Sequence, residues 1–208
     1  MHVIQTQTLI LSKWNANQTN LTNYNEFVQI RLIRYIRVLL LHMLHITIIS
    51  IGKLKEQYWK DAEKEYLKRL SAFAKVEIKE LKEESFTEKD NVEIIKEKEA
   101  KKILSAVASA KAGIDALPKD SYIVVLDKEG KQFSSEELSK HISTTTEQHH
   151  NITIIIGGPL GLHNSILNLA KESWSLSKMT FTHQMTRIIL LEQLYRGFMI
   201  KENRKYHY

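Results

Sequence analysis

From His45 onward, short β-branched runs alternate with segments whose apolar residues recur every three or four positions. A half-buried strand repeats every two residues and a helix face every 3.6, so this switching predicts strands and helices in alternation. Ile46 to Ile51, Tyr122 to Leu126 and Ile152 to Ile156 read as buried strands, and Val76 to Leu81 as a half-buried one. Between them, Trp59, Ala62, Tyr66, Leu70 and Phe73 share one helix face, and Val92, Ile95, Ile103, Leu104 and Val107 mark a second helix ending near Gly113 and Pro118. Ser134 with Glu137 forms a capping box that opens a third, and the rest reads helix, short strand, helix. Strands that are apolar throughout and separated by helices imply an α/β fold with a mostly parallel sheet and helices on both faces. Its binding crevice is then expected at the carboxyl ends of the strands.

The first forty residues follow a different pattern. Residues 15 to 25 are too polar to bury and have no period, so they are expected to be poorly structured. Val28 to Leu41 places Arg31, Arg34 and Arg37 at helical spacing among apolar residues, which allows a membrane-surface helix. The apolar run Val38 to Ile51 includes His42, His45, Thr47 and Ser50 and falls short of a bilayer span. The favoured division is an N-terminal extension, residues 1–42, outside the working protein, and one domain over residues 43–208. A chain starting at Met43 should then keep solubility and activity. The 208 residues contain only 7 Gly and 2 Pro, leaving little linker material for two full domains. Cysteine is absent, which removes thiolate zinc sites and thiol nucleophiles and suits a reducing, cytoplasmic setting.

The net charge of +6 is uneven. Residues 1–42 carry +3, residues 178–208 carry +4, and the stretch between is −1. A basic C-terminal end on a neutral body fits a localised phosphate contact, and equally fits ordinary surface cations.

Three loops follow predicted strands. Leu126-Asp127-Lys128-Glu129-Gly130-Lys131 reads alone as a polar turn with Gly supplying positive φ. Ile156-Gly157-Gly158-Pro159-Leu160-Gly161 runs from a buried strand toward a helix near His163, where glycines admit a close ligand and helix-start amides favour an anion. It lacks the Gly-Lys-Ser/Thr of a P-loop and the glycine spacing of a dinucleotide fingerprint, so neither an ATPase nor a Rossmann dehydrogenase is indicated. The third loop, Leu176 to Gln184, leads into a helix over Met185 to Phe198.

Taken in order, these motifs resemble a known family. Leu-Asp-x-x-Gly, Ile-Gly-Gly-Pro-x-Gly, Leu-Ser-x-Met-Thr-Phe-x-His-Gln-Met-x-Arg and Glu-Gln-Leu-Tyr-Arg-Gly, with a Tyr-His near the end, look like the ribosomal RNA large subunit methyltransferase H family. Ile49 to Trp59 is similar too, so the resemblance covers Met43 to Tyr208. It implies a SPOUT-class α/β methyltransferase with a C-terminal trefoil knot, one of the rare exceptions to unknotted topology, acting as a homodimer. It further implies S-adenosyl-L-methionine as methyl donor, and N3 of a pseudouridine in large-subunit rRNA as acceptor, the family target being pseudouridine 1915 of the 23S molecule. The partner is then that rRNA or the assembled ribosome.

By motif match the cofactor contacts are Leu126, Gly157, Leu176, Ser177, Lys178, Met179, Thr180 and Phe181. Thr182 stands where the family usually has proline, which would loosen the loop. A sulfonium donor requires no metal and no enzyme nucleophile, so catalysis reduces mainly to alignment. The N3 imide must lose a proton, and a base or a cation beside the anion would help. Arg196, His183 and the tail residue His207 are the candidates, with Arg196 ranked first as a substrate contact. Each also has a structural reading: His183 as a helix cap, Arg196 paired with Glu192, His207 as a loose terminus. The competing function is an rRNA-binding or ribosome-assembly factor that keeps the fold without catalysis. A membrane role for residues 28 to 41 ranks lowest.

Overall fold

The computed structural model describes residues 44–109 and 121–206. The expectations for the N-terminal extension, for a helix end near Gly113 and Pro118, and for His207 lie outside them. The elements are β1 (Leu44–Ile51), α1 (Gln57–Leu70), β2 (Ala74–Leu81), α2 (Val92–Ser109), β3 (Tyr122–Lys131), α3 (Ser135–Gln148), β4 (Asn151–Ile156), α4 (Asn164–Leu167), β5 (Glu172–Trp174) and α5 (His183–Lys201). The strands form a five-stranded sheet in the order β2-β1-β4-β3-β5. Every pairing is parallel, as the continuous apolar runs require.

Alternation along β1 divides the core. Leu44, Ile46 and Ile48 point to one face, where Leu70 of α1, Leu138 and Ile142 of α3, and Leu190, Leu191 and Leu194 of α5 cover them. Ile49 and Ile51 point to the other, against Ala100 and Ile103 of α2 and Ile166 of α4. Ile46, Ile48, Ile49 and Ile51 are at most 1% exposed, and each such side chain contributes about 2 kcal/mol relative to exposure. The capping box at α3 forms as expected: Ser134 Oγ accepts from Glu137 N at 3.1 Å and Glu137 Oε2 accepts from Ser134 N at 2.7 Å.

Some boundaries and faces differ from the sequence reading. β3 continues past Leu126 to Lys131, because Trp174 of β5 pairs with both residues and the chain between them bulges around it. Phe73 lies beyond the end of α1 and stacks on Phe198 with ring centroids 5.4 Å apart. On α2, Ile95 and Ile103 are buried, whereas Val92 and Leu104 face outward and Glu99 takes a core position.

Candidate functional site

Register decides where the three loops meet. Leu126 pairs with Ile156 on one side and with Trp174 on the other. Leu126, where β3 begins to bulge, Gly157 and the Ser175–Leu176 turn therefore stand at one level toward the carboxyl edge of adjacent strands, about 10 Å across at ordinary strand spacing. Leu126, Leu176, Ser177 and Phe181 are half-buried there, while Lys178, Met179 and Thr180 are exposed. The third loop is held through its backbone: Ser175 N donates to Lys131 O at 2.8 Å, Ser175 Oγ donates to Ser177 O at 3.0 Å, and Met179 N donates to Ser177 Oγ at 3.0 Å. Its outer side chains, Met179 above all at 69% exposure, are left open to a ligand.

Two details of the glycine loops depart from expectation. Gly130 does not adopt positive φ. It is glycine because a Cβ would sit 2.6 Å from the backbone carbonyl carbon of Trp174, so the bulge could not close on β5. In the second loop Gly161 has φ +82° and its N–H donates to Gly158 O at 3.0 Å, closing a turn. The helix after it, α4, offers no anion seat, because it has only four residues and His163 Nδ1 already accepts from Ser165 N at 3.1 Å. The space over Gly157 and Gly158 is instead tight from below. A Cβ on Gly157 would meet Leu162 at 3.0 Å, and one on Gly158 would meet Glu99 Oε2 at 3.1 Å.

At the start of α5, Thr182 is the cap, its hydroxyl accepting from Met185 N at 3.3 Å. Threonine at this position thus anchors the loop to the helix rather than loosening it. His183 is the first helical residue and not the cap. Its ring lies under Gly52, whose φ of +89° and absent Cβ admit it; a Cβ there would be 2.7 Å from Nε2. Nε2 is shut off from solvent without a hydrogen-bond partner among the described residues. Burial holds the ring below the ordinary imidazole value, so His183 is neutral at pH 7.

Arg187, one turn on, is fully buried. Its Nη1 donates to Glu63 Oε2 at 3.0 Å and to Glu80 Oε1 at 2.7 Å, and its Nη2 donates to Gly52 O at 3.1 Å. The arginine therefore ties α5 to α1, β2 and the turn after β1. Arg196 is paired as its structural reading expected, Nε donating to Glu192 Oε1 at 2.9 Å, with its guanidinium 4.9 Å from the centre of the Tyr206 ring. That carboxylate holds the guanidinium above its ordinary value, so it is permanently charged. The C-terminal positive charge is consequently less free than its sum suggests, since Arg187 and Arg196 both answer glutamates.

The candidates do not all come together within one chain. Leu126, Gly157, Leu176 to Phe181 and His183 share the carboxyl edge. Arg196 is thirteen helical residues beyond His183, about 20 Å along α5, in the same half of the helix as Phe198, which stacks on Phe73 just before β2.

Arg187 and Glu99 were not singled out in the sequence, although each occupies a helical stripe otherwise apolar: Arg187 with Leu190, Leu191 and Leu194, and Glu99 with Ile95 and Ile103. Glu99 is 4% exposed and accepts from Glu84 N at 3.1 Å. Burial pushes its carboxyl above the ordinary value. Among the described residues no cluster of His, Asp and Glu could hold a metal ion, and no helix is long and apolar enough to cross a membrane.

Comparison with known proteins matches residues 44–207 to a family model described as predicted SPOUT methyltransferase. The chain is 45% identical over 166 residues to ribosomal RNA large subunit methyltransferase H of Clostridium botulinum (strain Eklund 17B / Type B), spanning 77% of this chain and 98% of that one. The protein of the same name from Clostridium acetobutylicum is 44% identical over 165 residues, and that from Acetivibrio thermocellus 43% over 162, with the same shares of both chains. Among solved structures, the SpoU methyltransferase AviRb from Streptomyces viridochromogenes in complex with the cofactor AdoMet is similar at 10% identity. That match has a TM-score of 0.36 and covers 76% of this chain and 58% of the other.

Proposed function

The chain belongs to the SPOUT methyltransferase family, and from that premise we propose that it transfers a methyl group from S-adenosyl-L-methionine to N3 of a pseudouridine in large-subunit rRNA. The observation that carries this reading is the shared level of Leu126, Gly157 and the Ser175–Leu176 turn on three adjacent strands. The names of the relatives support the rRNA substrate.

The residues at this edge fit such a cofactor. Leu126, Leu176 and Phe181 offer half-buried apolar surface, and Gly157 brings backbone rather than a side chain to the floor. When bound, S-adenosyl-L-methionine supplies an electrophilic methyl that needs no metal. The protein's part is to orient and to manage one proton. The chain's own bonds at Ser175, Ser177 and Thr182 preset the loop, so little order has to be gained on binding. His183 is neutral but its Nε2 is covered by Gly52, which favours a positioning role for that atom over proton abstraction. Arg196, always charged, is the residue suited to hold the uracil oxygens and stabilise the N3 anion.

Because Arg196 stands about 20 Å from His183 along one helix, the same reading includes a homodimer in which one copy's Arg196 faces the other copy's cofactor loop. The C-terminal trefoil knot and a cytoplasmic location are also part of it. The deciding experiment is mass spectrometry of rRNA from cells lacking this protein, where a pseudouridine should have lost its methyl group. An unchanged modification profile refutes the proposal. In vitro, Arg196→Ala should abolish methylation with S-adenosyl-L-methionine affinity intact by calorimetry; unchanged turnover removes Arg196 from the site.

A further inference from the structure

The turn after β1 carries Lys53 and Lys55 and passes into α1 through Tyr58 and Lys60. All three lysines are exposed, and among the described residues none of their ammonium groups forms an ion pair. Lys53 and Lys60 line one open cavity of about 520 Å³, together with Leu54, Ile78, Glu63 and Glu80. Its two carboxylates are already engaged by the buried Arg187 behind them. The cavity thus presents two lysines without an ion-pair partner among the described residues, beside two carboxylates that share one guanidinium. Between Lys55 and Lys60 in the chain, in the first turn of α1, Tyr58 is 62% exposed, its ring centroid 5.0 Å from that of Trp59.

This turn is coupled to the candidate site at two points. Gly52, next to Lys53, receives the His183 ring and the Arg187 guanidinium. Lys55 N donates to Gln184 Oε1 at 2.7 Å. Both partners stand at the start of α5, directly after Leu176 to Phe181. Whatever the lysine turn grips is therefore held in fixed relation to the loop assigned to the methyl donor.

We propose that Lys53, Lys55 and Lys60 bind backbone phosphates of the RNA substrate and that the Tyr58 ring stacks on one of its unpaired bases. The inference rests on the rRNA reading above for its ligand. Free cations beside an exposed aromatic ring match single-stranded nucleic acid, whose phosphates are read by charge and whose bases stack without sequence preference. The whole-chain charge distribution conceals this patch, because the stretch from residue 43 to residue 177 is nearly neutral overall.

The test compares the full chain with a variant carrying Lys53→Gln, Lys55→Gln and Lys60→Gln, with its triple Lys→Arg counterpart and with Tyr58→Ala. The probe is extracted large-subunit rRNA, followed by equilibrium binding over a salt series. The triple Gln variant should bind at least tenfold more weakly at low salt, with a log–log salt slope shallower by about 2, since each lost single-strand phosphate contact removes roughly 0.7. The Arg variant should restore both quantities, and Tyr58→Ala should lose about tenfold with its slope unchanged. S-adenosyl-L-methionine affinity, measured by calorimetry, should be the same throughout, which excludes misfolding as the cause. Wild-type affinity and slope in the Gln variant overturn the proposal, as does an Arg variant as weak as the Gln one. An unchanged Tyr58→Ala affinity overturns the stacking part. If the wild type binds rRNA through these lysines yet transfers no methyl, the proposed function fails and this inference stands.

Discussion

Gly52 and Glu99 show how single residues near the site are set by what lies beneath them. Gly52 combines a left-handed φ of +89° with a Cβ position 2.7 Å from His183 Nε2. Gly52→Ala should therefore cost about 2 kcal/mol or more by strain alone, read as a lower urea midpoint with an unchanged slope. A variant as stable as wild type would mean that the turn can move away. Glu99 carries the opposite kind of tension. Burial raises its folded carboxyl above the ordinary 4.5, so the folded state takes up a proton more readily than the unfolded one. Stability is then lost as pH rises from about 4.5 through the folded value. Glu99→Gln keeps an acceptor for Glu84 N and removes the ionisation. Its melting temperature should exceed wild type at pH 7, and the gap should shrink toward pH 4. Neither residue was legible as special in the sequence, because a lone Gly after a strand and a Glu within a Lys/Glu-rich helix are both commonplace.

At the scale of elements, α5 organises one face of the sheet and reaches the site through its first two turns. Its Leu190, Leu191, Leu194 and Phe198 bury in the core cluster that includes residues of β1, β4 and α3. Arg187 on the same stripe joins α5 to Glu63 of α1 and Glu80 of β2. Arg187→Met has similar volume but leaves two partly buried carboxylates and the Gly52 carbonyl without their donor. We expect a loss of about 3 kcal/mol, measured by chemical denaturation. A neutral result would show that water replaces the guanidinium. Thr182 illustrates the limit of comparing motifs by residue type. As a departure from proline it suggested a looser loop, whereas its hydroxyl caps α5.

For the molecule as a whole, the two-faced core and the matched region both fall within residues 44–207. A chain beginning at Met43 is accordingly expected to fold and to methylate rRNA like the full one, checked by circular dichroism and a methyl-transfer assay. Loss of either activity or solubility would assign the extension a role. The α/β class, the parallel sheet and the centres of the four longer strands followed from the sequence, because burial on two faces imposes local periods that a reader can count. Which strands are neighbours, and so that Leu126 stands level with Ile156 and Trp174, came only from the folded chain. So did the burial of Arg187, the shielding of His183 Nε2 by Gly52, and the distance of Arg196 from the cofactor loop. Those depend on contacts between residues up to 135 positions apart, and charge or side-chain type at one position carries no record of the distant partner that will neutralise or cover it.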